Sequence, residues 1–457
     1  MIDNHDTITA IATPIGTGSV GIVRISGSMS LTIAAKLHWK GRTSFKPYHL
    51  THAWIKDSAG HVLDEVLMCY MPGPGSYTGE DVIEINCHGN PAILEAVLEA
   101  AVYAGARQAE PGEFTKRAFL NGKMDLTEAE AVLELINAPT RTGVYFAGQK
   151  LQGGLGRKIA NLRQTLEELR KELCLTVDFP EEELECISPG SLIDRVRKCI
   201  DEINILMKDY EQNRIWSEGV TVALAGCVNA GKSSLMNAVL GRERAIVTDV
   251  PGTTRDYIEE MINVQGLPVK LVDTAGFRDT DDMVELKGLE KGREIADSAG
   301  IVMFIVDSVT QICQQGLEFL KRMDKKKIII ALNKWDLVQN TQNYLSDHLE
   351  SYPVVVKVSA KTGHGLDELI QSIRKMALKG QMIAPEGKLV PNLRQMVCLN
   401  KAVHELDLLV QDTEAQLPFD LLSVRLDYAC SALDEITGRI TPDEVLNSIF
   451  DNFCIGK

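Results

Sequence analysis

A chain of 457 residues, 45% hydrophobic and 24% charged, is too long for one core and too apolar to stay unfolded, so about three globular domains are expected. Its net charge of −15 repels a phosphate backbone, so any nucleic acid must meet a local basic patch or arrive on a partner protein. The acidic start MIDNHDTITA does not read as a signal peptide, and no apolar run approaches the ~20 residues of a bilayer-spanning helix. Ten cysteines include no Cys-x-x-Cys pair, and His49-x-x-His52 has no third ligand nearby, so a cytoplasmic protein with reduced thiols and no membrane or zinc chemistry is expected.

Residues 1 to about 120 mix strands with helices. Gly21 to Ile25 and Val82 to Asn86 have strand character, and Pro91 to Ala104 reads as a helix stopped by Gly105, giving an α+β or α/β domain. From about residue 124 the period becomes helical: Thr127 with Glu130 forms a capping box, and Ala129, Val132, Leu133 and Ile136 share one face. Leu155, Ile159, Leu162, Leu166, Leu169 and Leu173 then mark a long amphipathic helix in a bundle. The acidic run Pro180 to Glu185 reads as a solvated loop, and another helix follows over Leu192 to Tyr210. Strands alternate with helices from Gly219 to about Lys379. Helices return over Leu393 to Gln411, Phe419 to Glu435 and Pro442 to Phe453, the last with Thr441 as N-cap, Pro442 at the first position and Glu444 closing a box. An α/β module thus interrupts a discontinuous helical domain, which returns the C-terminus to the helical body.

The module opens with an apolar strand, then Gly226-x-x-x-x-Gly231-Lys232-Ser233, then a helix. The glycines let backbone amides of Asn229, Ala230, Gly231, Lys232, Ser233 and Ser234 wrap phosphates, Lys232 adds a cation, and Ser233 a magnesium ligand. Strand Val269 to Val272 runs into Asp273-Thr274-Ala275-Gly276, which brings a carboxylate near magnesium and an amide near the γ-phosphate. Asn333, Lys334 and Asp336 follow an apolar strand, where the Asp336 carboxylate accepts the two hydrogen bonds that guanine donates and adenine does not. Ser359, Ala360 and Lys361 resemble the last base-contacting loop of small GTPases, so the module resembles a Ras-like GTPase that selects GTP. Two features depart from Ras: Phe277 stands where a glutamine would orient water, and Asn229 sits inside the loop upstream of Thr248-Asp249-Val250-Pro251-Gly252-Thr253-Thr254-Arg255, whose Thr254 suits a second magnesium ligand. Standing alone, Asn229 can also be read as a turn cap.

Asn229, Thr248 to Arg255, Phe277, the segments GPGSYTGED and AEPGEFTKRAFLNGKMDL and the terminal Cys454-Ile455-Gly456-Lys457 together resemble the MnmE (TrmE) family of tRNA modification GTPases over the whole chain. Val228 stands where many relatives carry proline, a change that touches no chemically needed group.

The resemblance implies a multidomain architecture of α/β and all-α parts. Residues 1–120 would form a folate-binding and dimerisation domain, 121–217 and 380–457 a helical domain, and 218–379 an inserted Ras-like G domain. It implies a potassium ion held by Asn229, Thr248, Val250 and Thr253, in the electrostatic role of an arginine finger, and water oriented by Glu285. Read from the residues alone, Glu285 is a solvated carboxylate.

It further implies formyl- or methylene-tetrahydrofolate near Arg24, Glu80 and Lys123, with the tail bringing Lys457 and Cys454, a thiol of open chemistry, to the same place. The expected protein is a homodimer that works with an MnmG (GidA)-type flavoprotein, as a heterotetramer, meeting tRNA mainly through that partner. Together they would add a carboxymethylaminomethyl or aminomethyl group to C5 of the wobble uridine of tRNA. A ribosome-assembly GTPase with only an RNA-binding role is the alternative, although such relatives usually carry a basic appendix that this chain lacks.

Overall fold

The computed structural model describes residues 6–41, 43–178, 187–242, 259–274, 292–310, 312–338, 349, 351–379 and 387–457. The chain divides into two compact units, one of Met1–Leu133, Lys150–Asp201 and Val397–Lys457, the other of Glu134–Gln149 and Glu202–Met396.

The first unit contains a six-stranded sheet of β1 (Ile8–Ile11), β2 (Val20–Ser26), β3 (Leu50–Lys56), β4 (Val62–Met71), β5 (Val82–His88) and β6 (Arg107–Gln108), in the order β3-β4-β5-β2-β1-β6. Its strands pair antiparallel, except that the short β6 runs parallel to β1. Alternation along β2 sends Val23 and Ile25 into the core with Ile33, Leu94 and Val97, from the helices Ser30–Leu37 and Pro91–Tyr103. It leaves Arg24 and Ser26 on the opposite face. That face carries the second site described below.

The helical part of this unit follows the sequence pattern closely at its long helices. Leu155, Ile159, Leu162, Leu166, Leu169 and Leu173 are all 3% exposed or less in the helix Gly154–Asp178, which packs along Phe419–Thr437. Arg163 Nε donates to both Asp434 carboxylate oxygens across that contact, at 3.1 and 3.2 Å. The helix expected over Leu192 to Tyr210 extends over Pro189–Glu218, and the acidic run Pro180 to Glu185 lies outside the described residues.

Helix starts are where the sequence reading needs correction. The helix Leu126–Asn137 begins before Thr127, and its reciprocal cap is Asp125 with Glu128: the Glu128 amide donates to Asp125 Oδ1 at 2.9 Å and the Asp125 amide to Glu128 Oε2 at 2.8 Å. Thr127, expected to cap, instead donates to Asp125 Oδ1. Ile136 is 44% exposed, whereas Ala129 is buried among Leu126, Leu446, Ile449 and Phe450. The last helix is Asp443–Phe450 with Pro442 in the cap position, so Thr441 does not cap it and its hydroxyl is buried without a partner.

The second unit is built on β7 (Val220–Gly226), β8 (Glu259–Val264), β9 (Leu267–Asp273), β10 (Ile301–Asp307), β11 (Ile328–Asn333) and β12 (Val355–Lys357), in the order β12-β11-β10-β7-β9-β8. Pairing is parallel except for the edge strand β8 against β9. The continuous apolar runs Ile301–Val306 and Ile328–Leu332 are buried along their length because both faces are covered. One face packs Leu235, Met236 and Val239 of the helix Lys232–Arg242 with Leu369 and Ile373 of Leu366–Leu378; the other packs Phe304 against Phe319 and Leu320 of Gln314–Arg322. A parallel sheet with strand order reversing at β7 leaves its ligand crevice at the carboxyl ends of β7, β9, β10 and β11.

Candidate functional site

The loop between β7 and the helix Lys232–Arg242 sits at that crevice. Gly226 ends β7 at φ +152°, and a Cβ there would collide with the Ile305 carbonyl oxygen of β10. Gly231, at φ +89°, leaves no room for a Cβ beside Asn333 Nδ2. Asn229, between them, also adopts a left-handed conformation, at φ +62°. The loop therefore curls back on itself and presents its amides at a helix N-terminus, the arrangement that receives phosphate.

The side chains of the loop are already organised. Lys232 Nζ donates to the carbonyl oxygens of Gly226 and Cys227 at 3.3 and 3.4 Å, and burial pushes its ammonium below the ordinary lysine range, with the Asp273 charge acting against that shift. A half-buried cation placed this way gains from an arriving anion. Ser233 Oγ donates to Asp273 Oδ2 at 2.9 Å, while Asp273 Oδ1 is buried without a protein partner. A hydroxyl and an orphaned carboxylate oxygen together fit a hydrated magnesium ion, which takes oxygen ligands and retains waters. Ser234 is exposed in the first turn of the helix. Thr274 turns the other way, donating Oγ1 to the Leu224 carbonyl at 2.6 Å.

The base-reading residues converge from two strand ends. Asn333 spans the site, donating Nδ2 to the Ala230 carbonyl at 2.9 Å and accepting from the Ala360 amide at 3.1 Å. Asp336 accepts from Ser359 Oγ at 2.6 Å, and Ser359 is fully buried, so the carboxylate is held in place. Lys334, at φ +61°, pairs with Asp307 at 2.7 Å, and Lys361 is exposed. Asn229, Ala230, Gly231, Lys232, Ser233, Asp273, Asn333, Lys334, Asp336, Ser359 and Ala360 are thus gathered along one sheet edge. Thr248, Asp249, Val250, Pro251, Gly252, Thr253, Thr254, Ala275, Gly276 and Glu285 lie outside the described residues.

The thiols in this region differ from expectation. Cys227 and Cys313 form a disulfide, where spacing alone had suggested reduced thiols throughout; a separation of 86 residues leaves no local signature of the pair.

A second constellation lies in the first unit, where the C-terminus meets the sheet. The amide of Phe114 donates to the Lys457 carbonyl at 3.2 Å, and Arg24 Nη1 donates to the Gly456 carbonyl at 3.1 Å. Arg24 also pairs with Glu84 at 2.8 Å and lies over the rings of Tyr77 and Phe114. The Lys457 ammonium is pushed down from its ordinary value by burial and by Arg24, with Glu84 and Cys454 acting against this. Cys454 is exposed, and Lys123 Nζ donates to the Pro74 carbonyl at 2.7 Å. Glu80 accepts from Ser26 Oγ at 2.6 Å and from Arg117 Nη1 at 3.2 Å. The fold therefore brings Arg24, Cys454 and Lys457 together. Glu80 joins that face of β2 through Ser26, two residues beyond Arg24.

Arg117, which the motif reading passed over, is the hub here. It is 3% exposed and pairs with Asp6, Glu80 and Glu113, while Arg107 pairs with the same Glu113 and Asp6. Burial pushes the Glu113 carboxyl up, but hydrogen bonds from Arg107, the Glu110 amide and Arg117 outweigh it and hold the group below the usual carboxylate range. Only its place inside the quoted segment EFTKRAFL hinted at Arg117, because its partners lie up to 111 positions away.

Comparison with known proteins assigns the chain to a family. The family model for the MnmE helical domain matches residues 126–454, and that for the GTP-binding protein TrmE N-terminus matches residues 7–123. This chain belongs to the MnmE family of tRNA modification GTPases. A family relative, the tRNA modification GTPase MnmE of Nitratidesulfovibrio vulgaris (strain DP4), is 46% identical over 100% of both chains. That of Lawsonia intracellularis is 44% identical over 99% of this chain and 100% of its own. Among solved structures, the G domain of the T. maritima FeoB iron transporter is 32% identical, covering 35% of this chain and 98% of its own at a TM-score of 0.26. As a member of that family, the chain is a GTP hydrolase.

Proposed function

We propose that the chain couples GTP hydrolysis to modification of the wobble uridine (position 34) of certain tRNAs. Working with a flavin-dependent partner of the MnmG (GidA) type, it adds a carboxymethylaminomethyl or aminomethyl group at C5. The observation that carries this reading is full-length family membership together with a crevice in which Asp336 is fixed by Ser359 for guanine and Lys232 faces the phosphate loop.

In this reading residues 218–379 act as the G domain. The amides of Asn229 to Ser234 bind the phosphates, and Lys232 moves from two backbone carbonyls to the phosphate oxygens. Asn333, Lys334, Asp336, Ser359, Ala360 and Lys361 hold the base. Thr248 to Thr254 and Asp273 to Gly276 complete the GTP-binding set. Ser233 and Thr254 would hold Mg2+, and Asn229, Thr248, Val250 and Thr253 would hold K+; both cations neutralise charge that develops on the phosphates. Phe277 cannot hydrogen-bond water, so orienting the attacking water falls to Glu285.

Residues 1–120 act as a folate-binding and dimerisation domain, and residues 121–217 with 380–457 as the helical domain. Arg24 and Lys457 offer cations to the carboxylates of formyl- or methylene-tetrahydrofolate. Glu80 and Lys123 add an acceptor and a donor. A one-carbon unit so held supplies the carbon for the new C5 substituent. Cys454 serves as a catalytic or substrate-positioning thiol. The chain works as a homodimer, and as a heterotetramer with the flavoprotein, which brings most of the tRNA contact; its setting is the cytoplasm. No helix among the described residues is long and apolar enough to cross a membrane.

The decisive experiment is nucleoside analysis of tRNA from a strain lacking the gene. Loss of the C5 substituent on the wobble uridine is expected, and an unchanged nucleoside profile defeats the reading. Hydrolysis by the purified protein should be at least about tenfold faster in potassium than in sodium salts, a gain modest beside the 10³–10⁵ of an arginine finger. Equal rates in the two salts remove the assignment of Asn229 to potassium.

A further inference from the structure

Cys227 is the second residue of the phosphate loop, and Cys313 immediately precedes the helix Gln314–Arg322. Though 86 positions apart, their Cα atoms lie 6.3 Å from each other and their sulfurs are bonded. The Cys313 amide also points at Cys227 Sγ, at 3.2 Å. Gly316 packs closely beneath the pair: a Cβ built there would lie 3.0 Å from Ile312 Cγ2 and 3.1 and 3.2 Å from the two sulfurs. Both cysteines are half-buried, hence within reach of a small molecule.

The bond is anchored where nucleotide binding is decided. The carbonyl of Cys227 holds Lys232 and accepts from the Ala230 amide at 3.3 Å, and Val228 leads from it into Asn229 at φ +62°. Asparagine is one of the few non-glycine residues that adopt this region readily, so the loop holds its turn there at small cost. Tying Cys227 to the segment after β10 fixes the entry of the loop while its side chain stays off the face on which the amides converge.

We propose that Cys227 and Cys313 are a reversible dithiol/disulfide site that exchanges with low-molecular-weight disulfides, and that the cross-link holds the phosphate loop in the shape that retains nucleotide. The inference rests on the reading of this crevice as a GTP site. In the exchange, the Cys313 thiolate, favoured at a helix N-terminus, attacks one sulfur of the small disulfide and expels one thiolate. The Cys227 thiolate then attacks the Cys313 sulfur of the mixed disulfide and expels the second. Two protein thiols are oxidised, one small disulfide is reduced to two thiols, and these carry away the two protons.

The test uses the full chain equilibrated with oxidised or reduced glutathione, with the 227–313 link followed by peptide mass spectrometry. Release of N-methylanthraniloyl-GDP is measured by stopped flow in both states, alongside C313S. Linked protein should release the nucleotide at least about threefold more slowly than reduced protein, and C313S should match the reduced rate under both conditions. Failure of the link to form, equal or faster release from linked protein, or a redox response that survives in C313S each overturns the proposal while leaving the nucleotide site intact. Absence of nucleotide binding in both redox states overturns the site and the proposal together.

Discussion

Gly226 to Ser233 supply amides, a cation and a hydroxyl from consecutive residues, whereas the pocket at the C-terminus joins Arg24 to Gly456 across 432 positions and Arg117 to Asp6 across 111. In the phosphate loop, left-handed backbone at Asn229 and Gly231 sets the geometry, and the side chains need only short reaches. Around the C-terminus several segments must meet: the buried Arg117 is tolerable only because Asp6, Glu80 and Glu113 surround it, and Arg107 shares two of those carboxylates with it. The loop can therefore lose one side chain and lose one function, but the charged hub cannot lose one without stranding several others.

The sharpest test of that contrast is Arg117→Ala. It leaves three carboxylates without their shared cation, and a loss of about 3–5 kcal/mol in the urea unfolding of the full chain is expected. A loss below about 1 kcal/mol would show that the carboxylates are hydrated and independent. Asp336→Asn should instead leave unfolding unchanged and weaken guanine nucleotide binding by about 1.5–3 kcal/mol, roughly ten- to a hundredfold, measured by fluorescent GDP titration. Stability falling together with affinity would blur the distinction between the two regions.

The smallest effect is on pH dependence. Glu113 is held below the usual carboxylate range when folded, so the stability it contributes is present above its unfolded value and is lost as pH falls through its lower folded value. Glu113→Gln should be less stable at neutral pH yet lose less on acidification below about pH 4, read from urea midpoints across the acid limb. Parallel curves for the two proteins would show that Glu113 does not titrate differently on folding.

The motif segments of the nucleotide crevice were legible before any coordinates because each is short, and the parallel sheet simply sets their ends side by side at β7, β9 and β11. The long helix Gly154–Asp178 was legible for the same reason, since six leucine and isoleucine positions at helical spacing need only a partner to cover them. Helix starts were read less well: Asp125, not Thr127, caps the helix Leu126–Asn137, and Pro442, not Thr441, occupies the cap of Asp443–Phe450. Asp125 and Thr127 are both acceptable capping residues two positions apart, whereas Pro442 occupies its cap position without a side-chain hydrogen bond, so local preference alone did not fix either start.

By itself the sequence determined the long helices and the strand–glycine loop–helix turn after β7, because backbone preference and helical or strand period act over a few neighbouring residues. Tertiary structure alone decided that Cys227 meets Cys313, that Arg117 reaches Asp6 and Glu80, and that the Lys457 main-chain oxygen meets the Phe114 amide. Those contacts close loops of tens to hundreds of residues. Their entropy is offset only once the surrounding cores are buried, and nothing in the local chain records that outcome.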